Sequence, residues 1–146
     1  MEKLRLLLEQ LKAGDVTVDE VLKELKNLPY EDIGFARIDN HRSLRRGVPE
    51  VIYCAGKTPS QVAEITRHML ENGSNVMGTR ADLATFNKVL EVAEDAKYYD
   101  MARIFAVKRH EVPQAKGKIA VVTAGTSDIP VAEEAAVTAE LFGNPV

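Results

Sequence analysis

Three short stretches of this chain gather residues that can hold an anion. In the last of them the apolar run Lys118-Ile119-Ala120-Val121-Val122-Thr123 leads through Ala124-Gly125-Thr126-Ser127-Asp128 into Ile129-Pro130-Val131-Ala132-Glu133-Glu134-Ala135-Ala136. Read as a buried strand, a loop and a helix, this is a cradle for a phosphate or a carboxylate. Gly125 lets the backbone approach a ligand without a Cβ in the way. Thr126, Ser127 and Asp128 bring hydroxyl and capping groups to where the unpaired N–H groups of the helix point outward. Pro130 falls in the first turn, where a missing N–H costs nothing.

The second stretch is Gly56-Lys57-Thr58, between a strand and a helix. It is too short for a P-loop, which needs a glycine five residues before Gly56, where Val51 stands. Lys57 can still meet one phosphate or carboxylate at the carboxyl edge of a parallel sheet. Thr79-Arg80 ends the next expected strand, so Lys57 and Arg80 converge if the two strands are neighbours. The third stretch, Arg37 to Arg46, sets four arginines and His41 against Asp39 alone. It is either a solvated loop or a site for oxyanions, to which arginine forks are matched.

Other candidates are weaker. Glu133 and Glu134 invite an acid-base reading, but adjacent helical residues diverge by about 100° and do not face each other. Cys54, the one cysteine, ends the apolar run Val51-Ile52-Tyr53-Cys54-Ala55 and reads first as a small buried hydrophobe, second as a nucleophile. His41, His68 and His110 share no short ligand spacing with one another or with Cys54, so no metal site is read.

The elements that must position these residues follow from periodicity. Leu4, Leu7, Leu8 and Leu11 recur at helical spacing up to Gly14, and Thr17-Val18-Asp19-Glu20 is a capping box before Val21, Leu22, Leu25 and Leu28. The chain from Tyr30 to Pro49 reads as polar and irregular. Strands are expected over 51–55, 75–79 and 102–107, with helices between them begun by Thr58-Pro59-Ser60-Gln61 and by Asp82. That alternation implies a small layered α/β unit with a parallel sheet.

Composition sets the outer limits. With 146 residues the chain holds one ordinary core, or one small domain and an appendage. A 45% apolar and 28% charged content is that of a globular protein. A net charge of −3 argues against general nucleic-acid binding. No run is long enough for a membrane span and the N-terminus is no signal peptide, so a cytoplasmic location is expected.

The strand-loop-helix resembles the opening of the PurE-type aminoimidazole ribonucleotide carboxylases and mutases, whose loop is Ser-Gly-Ser-x-Ser-Asp where this chain has Ala-Gly-Thr-Ser-Asp. The longer string from Val121 to Ala136 is similar, more specifically, to the LarB-type relatives, which carboxylate a pyridine ring in making the nickel-pincer nucleotide cofactor. Gly34-Phe35-Ala36, Asp39, Arg42, Arg45, Gly47, Pro49-Glu50-Val51 and Gly56-Lys57-Thr58 carry the same resemblance. It implies an α/β fold with an N-terminal helical hairpin over 1–29 and a small α/β assisting domain, built on a parallel β-α-β unit, over 30–107. A linker over 108–117 and the truncated start of a PurE-like flavodoxin-type sheet over 118–146 would follow.

By the same resemblance the chain is the N-terminal part of a longer enzyme, and the family's cysteine lies beyond Val146, so no catalytic residue is assigned here. The implied substrate is nicotinic acid adenine dinucleotide. Its ring gains carbon from carbon dioxide or bicarbonate, and its phosphoanhydride is cleaved to release AMP. Substrate binding is expected from Asp39, Arg42, Arg45, Lys57, Arg80, Gly125, Thr126, Ser127 and Asp128, with Glu133 as a secondary contact. No cofactor is evident in this stretch, although a divalent cation such as Mg is compatible with the full enzyme. A homo-oligomer is implied, with neither nucleic acid nor membrane as partner. Two alternatives stay open: a PurE-type aminoimidazole ribonucleotide carboxylase or mutase relative, and a non-catalytic adenylate-binding or oligomerisation module.

Overall fold

Capping chemistry ends the first helix and opens the second. A computed structural model of the chain describes residues 2–26, 31–39, 42 and 48–146. It divides into two units, Met1–Glu50 and Val51–Val146. In the first unit, α1 (Glu2–Ala13) stops at Gly14, whose φ of +85° lets the Asp15 N–H reach back to the Gln10 carbonyl at 3.0 Å. α2 (Val18–Lys26) starts from the expected box. The Glu20 N–H donates to Thr17 Oγ1 at 3.3 Å, and the Thr17 N–H donates to Glu20 Oε2 at 2.7 Å. The Thr17 N–H and the Thr17 hydroxyl, which donates to the same oxygen at 2.8 Å, hold the Glu20 carboxyl below its usual range.

The stretch read as irregular contains a small hairpin. β1 (Glu31–Asp32) pairs antiparallel with β2 (Arg37–Ile38), and Asp32 organises the turn. Its carboxylate accepts the Gly34 N–H at 2.9 Å and the Arg37 Nε–H at 3.1 Å. Leu28 and His41 lie outside the described residues.

The second unit is built on four strands, in the order β3 (Val51–Tyr53), β4 (Val76–Thr79), β6 (Ile104–Val107) and β5 (Lys97–Tyr99). β3 (Val51–Tyr53), α3 (Pro59–Glu71) and β4 (Val76–Thr79) form the expected parallel β-α-β unit. Thr58 caps α3 through a complete capping box with Gln61, and Pro59 occupies the first turn. After α4 (Leu83–Leu90) the chain departs from the expected alternation. β5 (Lys97–Tyr99) intervenes, and β6 (Ile104–Val107) therefore returns antiparallel beside β4. The sheet is mixed because a short turn after β5 permits only an antiparallel neighbour, whereas a third parallel strand needs a crossover.

Register assigns the side chains to two faces. Ile52, Gly78, Phe105 and Tyr98 are cross-strand partners on one of them. Tyr98 stacks there on Phe86 of α4 with ring centroids 4.9 Å apart. On the other face Met77 and Ile104 join Val137, Leu141 and Phe142 of the C-terminal region in one apolar cluster, with Ala102, Val51 and Tyr99. α5 (Ile129–Leu141) supplies that cover, so the sheet lies between two helical layers.

The strand expected over 118–123 is not formed. The segment joins no ladder, and Val122 is 88% exposed. No strand lies beside it: β3 and β5 form the two edges of this unit's sheet, and neither pairs with the segment. Among the described residues, no helix is long and apolar enough to cross a membrane.

Gly78 is held as glycine by its neighbour. A Cβ built there would come within 2.1 Å of the Phe105 ring, which is itself fully buried. Gly78→Ala is therefore expected to destabilise the fold by about 1–3 kcal/mol, the usual range for overpacking a tight core. Urea unfolding checks this: the midpoint should fall at unchanged slope.

Candidate functional site

Two neighbouring parallel strands end side by side. Tyr53 and Thr79 are register partners, and the Cys54 N–H donates to the Thr79 carbonyl at 2.9 Å as a last rung. Beyond it the chain turns toward α3, with the Lys57 N–H donating to the Cys54 carbonyl at 3.0 Å. The Lys57 ammonium folds back and donates to the Tyr53 carbonyl at 2.7 Å. Lys57 and Arg80 thus stand at the same carboxyl edge, as expected if β3 and β4 are neighbours.

Arg80 leaves β4 with φ +56°, a left-handed conformation that is strained for a residue with a side chain. The next residues pin it. The Ala81 N–H donates to the Arg103 carbonyl at 2.9 Å, and the Ala81 carbonyl accepts the Tyr98 hydroxyl at 3.0 Å. Arg103 is left-handed too, at φ +52°, and its N–H is held by the Asp100 carbonyl at 3.0 Å. Asp82 then caps α4 by accepting the Thr85 N–H at 2.8 Å, and the bonds from Thr85 keep its carboxyl below the usual range.

The Arg80 guanidinium meets a carboxylate from the C-terminal helix, Nη2 lying 3.0 Å from Glu134 Oε2. Because Val137, Leu141 and Phe142 join the apolar cluster on the sheet, α5 starts at the carboxyl edge and runs back across that face. Of the two adjacent glutamates it is Glu134 that pairs with Arg80, while Glu133 is exposed. Which of two adjacent glutamates faces inward depends on how the helix docks, and periodicity alone could not decide it. Arg103 and Tyr98 were also unsingled by sequence. Their one signal was the tight turn Asp100-Met101-Ala102-Arg103 between Tyr98-Tyr99 and the apolar run Ile104-Phe105-Ala106-Val107.

Gly125 to Asp128 form the approach to α5, with a 3-10 turn over Thr126–Asp128. The Asp128 N–H donates to the Gly125 carbonyl at 3.1 Å, and the Ser127 hydroxyl to Asp128 Oδ1 at 3.4 Å. Thr126, Ser127 and Asp128 are exposed. The turn precedes Glu134 by six to eight residues, roughly 10 Å of helix, so it is not gathered onto Arg80.

Asp39 and Arg42 belong to the first unit. The Arg42 N–H donates to the Asp39 carbonyl at 3.2 Å, and its Nε lies 3.8 Å from Glu50 Oε2. Arg45 lies outside the described residues.

Cys54 is buried, and its thiol donates weakly to the Ile52 carbonyl at 3.6 Å. Burial pushes the thiol up to about 12, with Lys57 opposing the shift and Asp82 adding to it. A thiolate nucleophile is therefore not available there at neutral pH. Among the described residues no three His, Cys, Asp or Glu side chains converge as they would around a divalent cation. The edge offers charge compensation, since an arginine fork and a lysine ammonium donate but accept no proton.

A family model for the LarB/PurE-like N-terminal domain matches residues 30–110. The chain is also 36% identical, over 152 aligned positions, to an uncharacterized protein of Methanocaldococcus jannaschii. The match takes in 97% of this chain and 58% of that protein.

The buried thiol makes stability depend on alkaline pH. Native Cys54 stays protonated to about 12 while the unfolded thiol ionises near 9. The stability it contributes is complete below about pH 9 and is lost as pH rises toward 12. Melting temperatures of wild type and Cys54→Ala, compared from pH 8 to 11, should show the steeper alkaline decline in wild type.

Proposed function

Because the chain belongs to the LarB/PurE-like N-terminal domain family, we propose that it serves a PurE-related carboxylase acting on nicotinic acid adenine dinucleotide. In that reaction a ring carbon of the pyridinium loses its proton and bonds the carbon of carbon dioxide, supplied as such or from bicarbonate by loss of hydroxide, and water cleaves the phosphoanhydride to release AMP. The reading is carried by the placement of Lys57 and Arg80 on the shared carboxyl edge of β3 and β4. Ligands of parallel sheets gather at such an edge, and two cations there suit a pyrophosphate better than an uncharged ring.

Their role is electrostatic. Cations that offset phosphate charge hold the dinucleotide in place and stabilise the charge that develops on the departing AMP. The thiol chemistry of the reaction is not assigned to Cys54, whose burial and high pKa oppose it. The chain spans 58% of the length of its Methanocaldococcus relative.

Isothermal calorimetry on this chain tests the reading. Nicotinic acid adenine dinucleotide or AMP should bind more tightly than inorganic phosphate, and more so at low salt, because several contacts share one association cost. Lys57→Ala and Arg80→Gln should each weaken the dinucleotide by roughly tenfold, the loss of one charge-assisted hydrogen bond. Equal affinity for phosphate and dinucleotide would overturn the proposal. A preference for aminoimidazole ribonucleotide would redirect it to the PurE-type mutases.

A further inference from the structure

We propose that Glu134 is an internal competitor for the anion site at Arg80, so that binding at the sheet edge is coupled to the seating of α5. The inference rests on Arg80 being the anion-binding residue suggested above, and goes beyond it by assigning a residue that regulates its access.

Three observations meet at this contact. Arg80 cannot drift toward another partner through its backbone, because Ala81 is wholly buried and its N–H and carbonyl are both hydrogen-bonded. The Arg80 side chain stays 43% exposed while it is paired with Glu134. Glu134 itself is only 20% exposed, and its Oε2 sits 3.0 Å from Nη2 with the charge and distance of a phosphoryl oxygen. An arginine fork can present two parallel N–H groups to one oxyanion. A phosphoryl group seeking that fork must displace Glu134 or accept what it leaves.

The rest of α5 explains why displacement is feasible. Val137 is the helix's one residue among the buried core side chains, while Ile129 and Val131 at its start are exposed. The pair therefore clamps the lightly anchored half of the helix. Below Glu134 the anchorage is better. Leu141 and Phe142 pack against the sheet cluster, and backbone bonds from Ala115 to Gly143 and from Ile119 to Pro145, each 2.8 Å, tie down the end. A hinged seat, loose at the edge and fixed at the far end, is what competition at Arg80 requires.

The probes are AMP and inorganic pyrophosphate, titrated by calorimetry into wild type, Glu134→Gln and Arg80→Gln. Glu134→Gln keeps the side chain's size and removes its charge, so both probes should bind roughly two- to fivefold tighter, the equivalent of losing a partly exposed ion pair as competitor. Hydrogen exchange supplies a second measurement on wild type: saturating pyrophosphate should speed exchange across residues 129–136 and leave 137–142 unchanged. If Glu134→Gln is too unstable to titrate, this measurement decides alone. Unchanged or weaker binding by a folded Glu134→Gln, with Arg80→Gln still weakening the probes, overturns the competitor and spares the anion site. Probes indifferent to Arg80→Gln, or no binding even by Glu134→Gln, overturn both.

Discussion

Parallel pairing of β3 with β4 is the constraint from which the second unit follows. Parallel strands cannot be joined by a tight turn, so α3 must cross over between them, and the crossover buries Val62, Ile65 and Met69. The same geometry forces two strands to finish at one edge. Whatever follows them in sequence, here Lys57 after one and Arg80 after the other, is delivered to the same place without any direct bond between the two. Antiparallel pairing would have sent these residues to opposite ends of the sheet. β6 alone runs the other way; β5, antiparallel to β6, runs with β3 and β4, and the turn from β5 into β6 supplies the Arg103 carbonyl that holds Ala81.

Sequence revealed those features whose chemistry is local. Thr58 with Gln61, Thr17 with Glu20, and Asp82 with Thr85 are pairs three residues apart that cap a helix whatever surrounds it. The β3-α3-β4 unit was legible for the same reason, since each element carries its own boundary. β5 was not, because Lys97-Tyr98-Tyr99 is too short to show a period and its identity as a strand comes from β6. The hairpin around Gly34 was hidden by polar composition, although Asp32 two residues before Gly34 is a turn-forming arrangement. Residues 118–123 erred in the opposite direction, for strong strand propensity cannot make a ladder without a neighbour.

The candidate site divides along the same line. Lys57 and Arg80 could be set together from strand ends alone. Glu134 could not, because its orientation depends on the docking of a helix more than fifty residues later in the chain. A second long-range lock has the same character. Asn75, just before β4, accepts the N–H groups of both Arg109 and His110 at 2.8 Å and donates to the His110 carbonyl at 2.8 Å. Arg109 then forks onto Asp95 with contacts of 3.0 and 2.9 Å. Nothing near Asn75 in sequence announces this.

The backbone of Arg80 bears on how the site can vary over generations. At φ +56° glycine would be the conformationally easiest occupant, and a residue with a side chain is held there against a penalty on the order of 1 kcal/mol or more. Drift toward glycine would thus be rewarded with a sturdier fold and would erase the cation in the same step. An arginine at this position sets a poorer turn against a charge that pairs with Glu134 and, on the proposed function, meets an anion. On the proposed function, lineages in which the edge no longer holds an anion should show glycine or asparagine there instead.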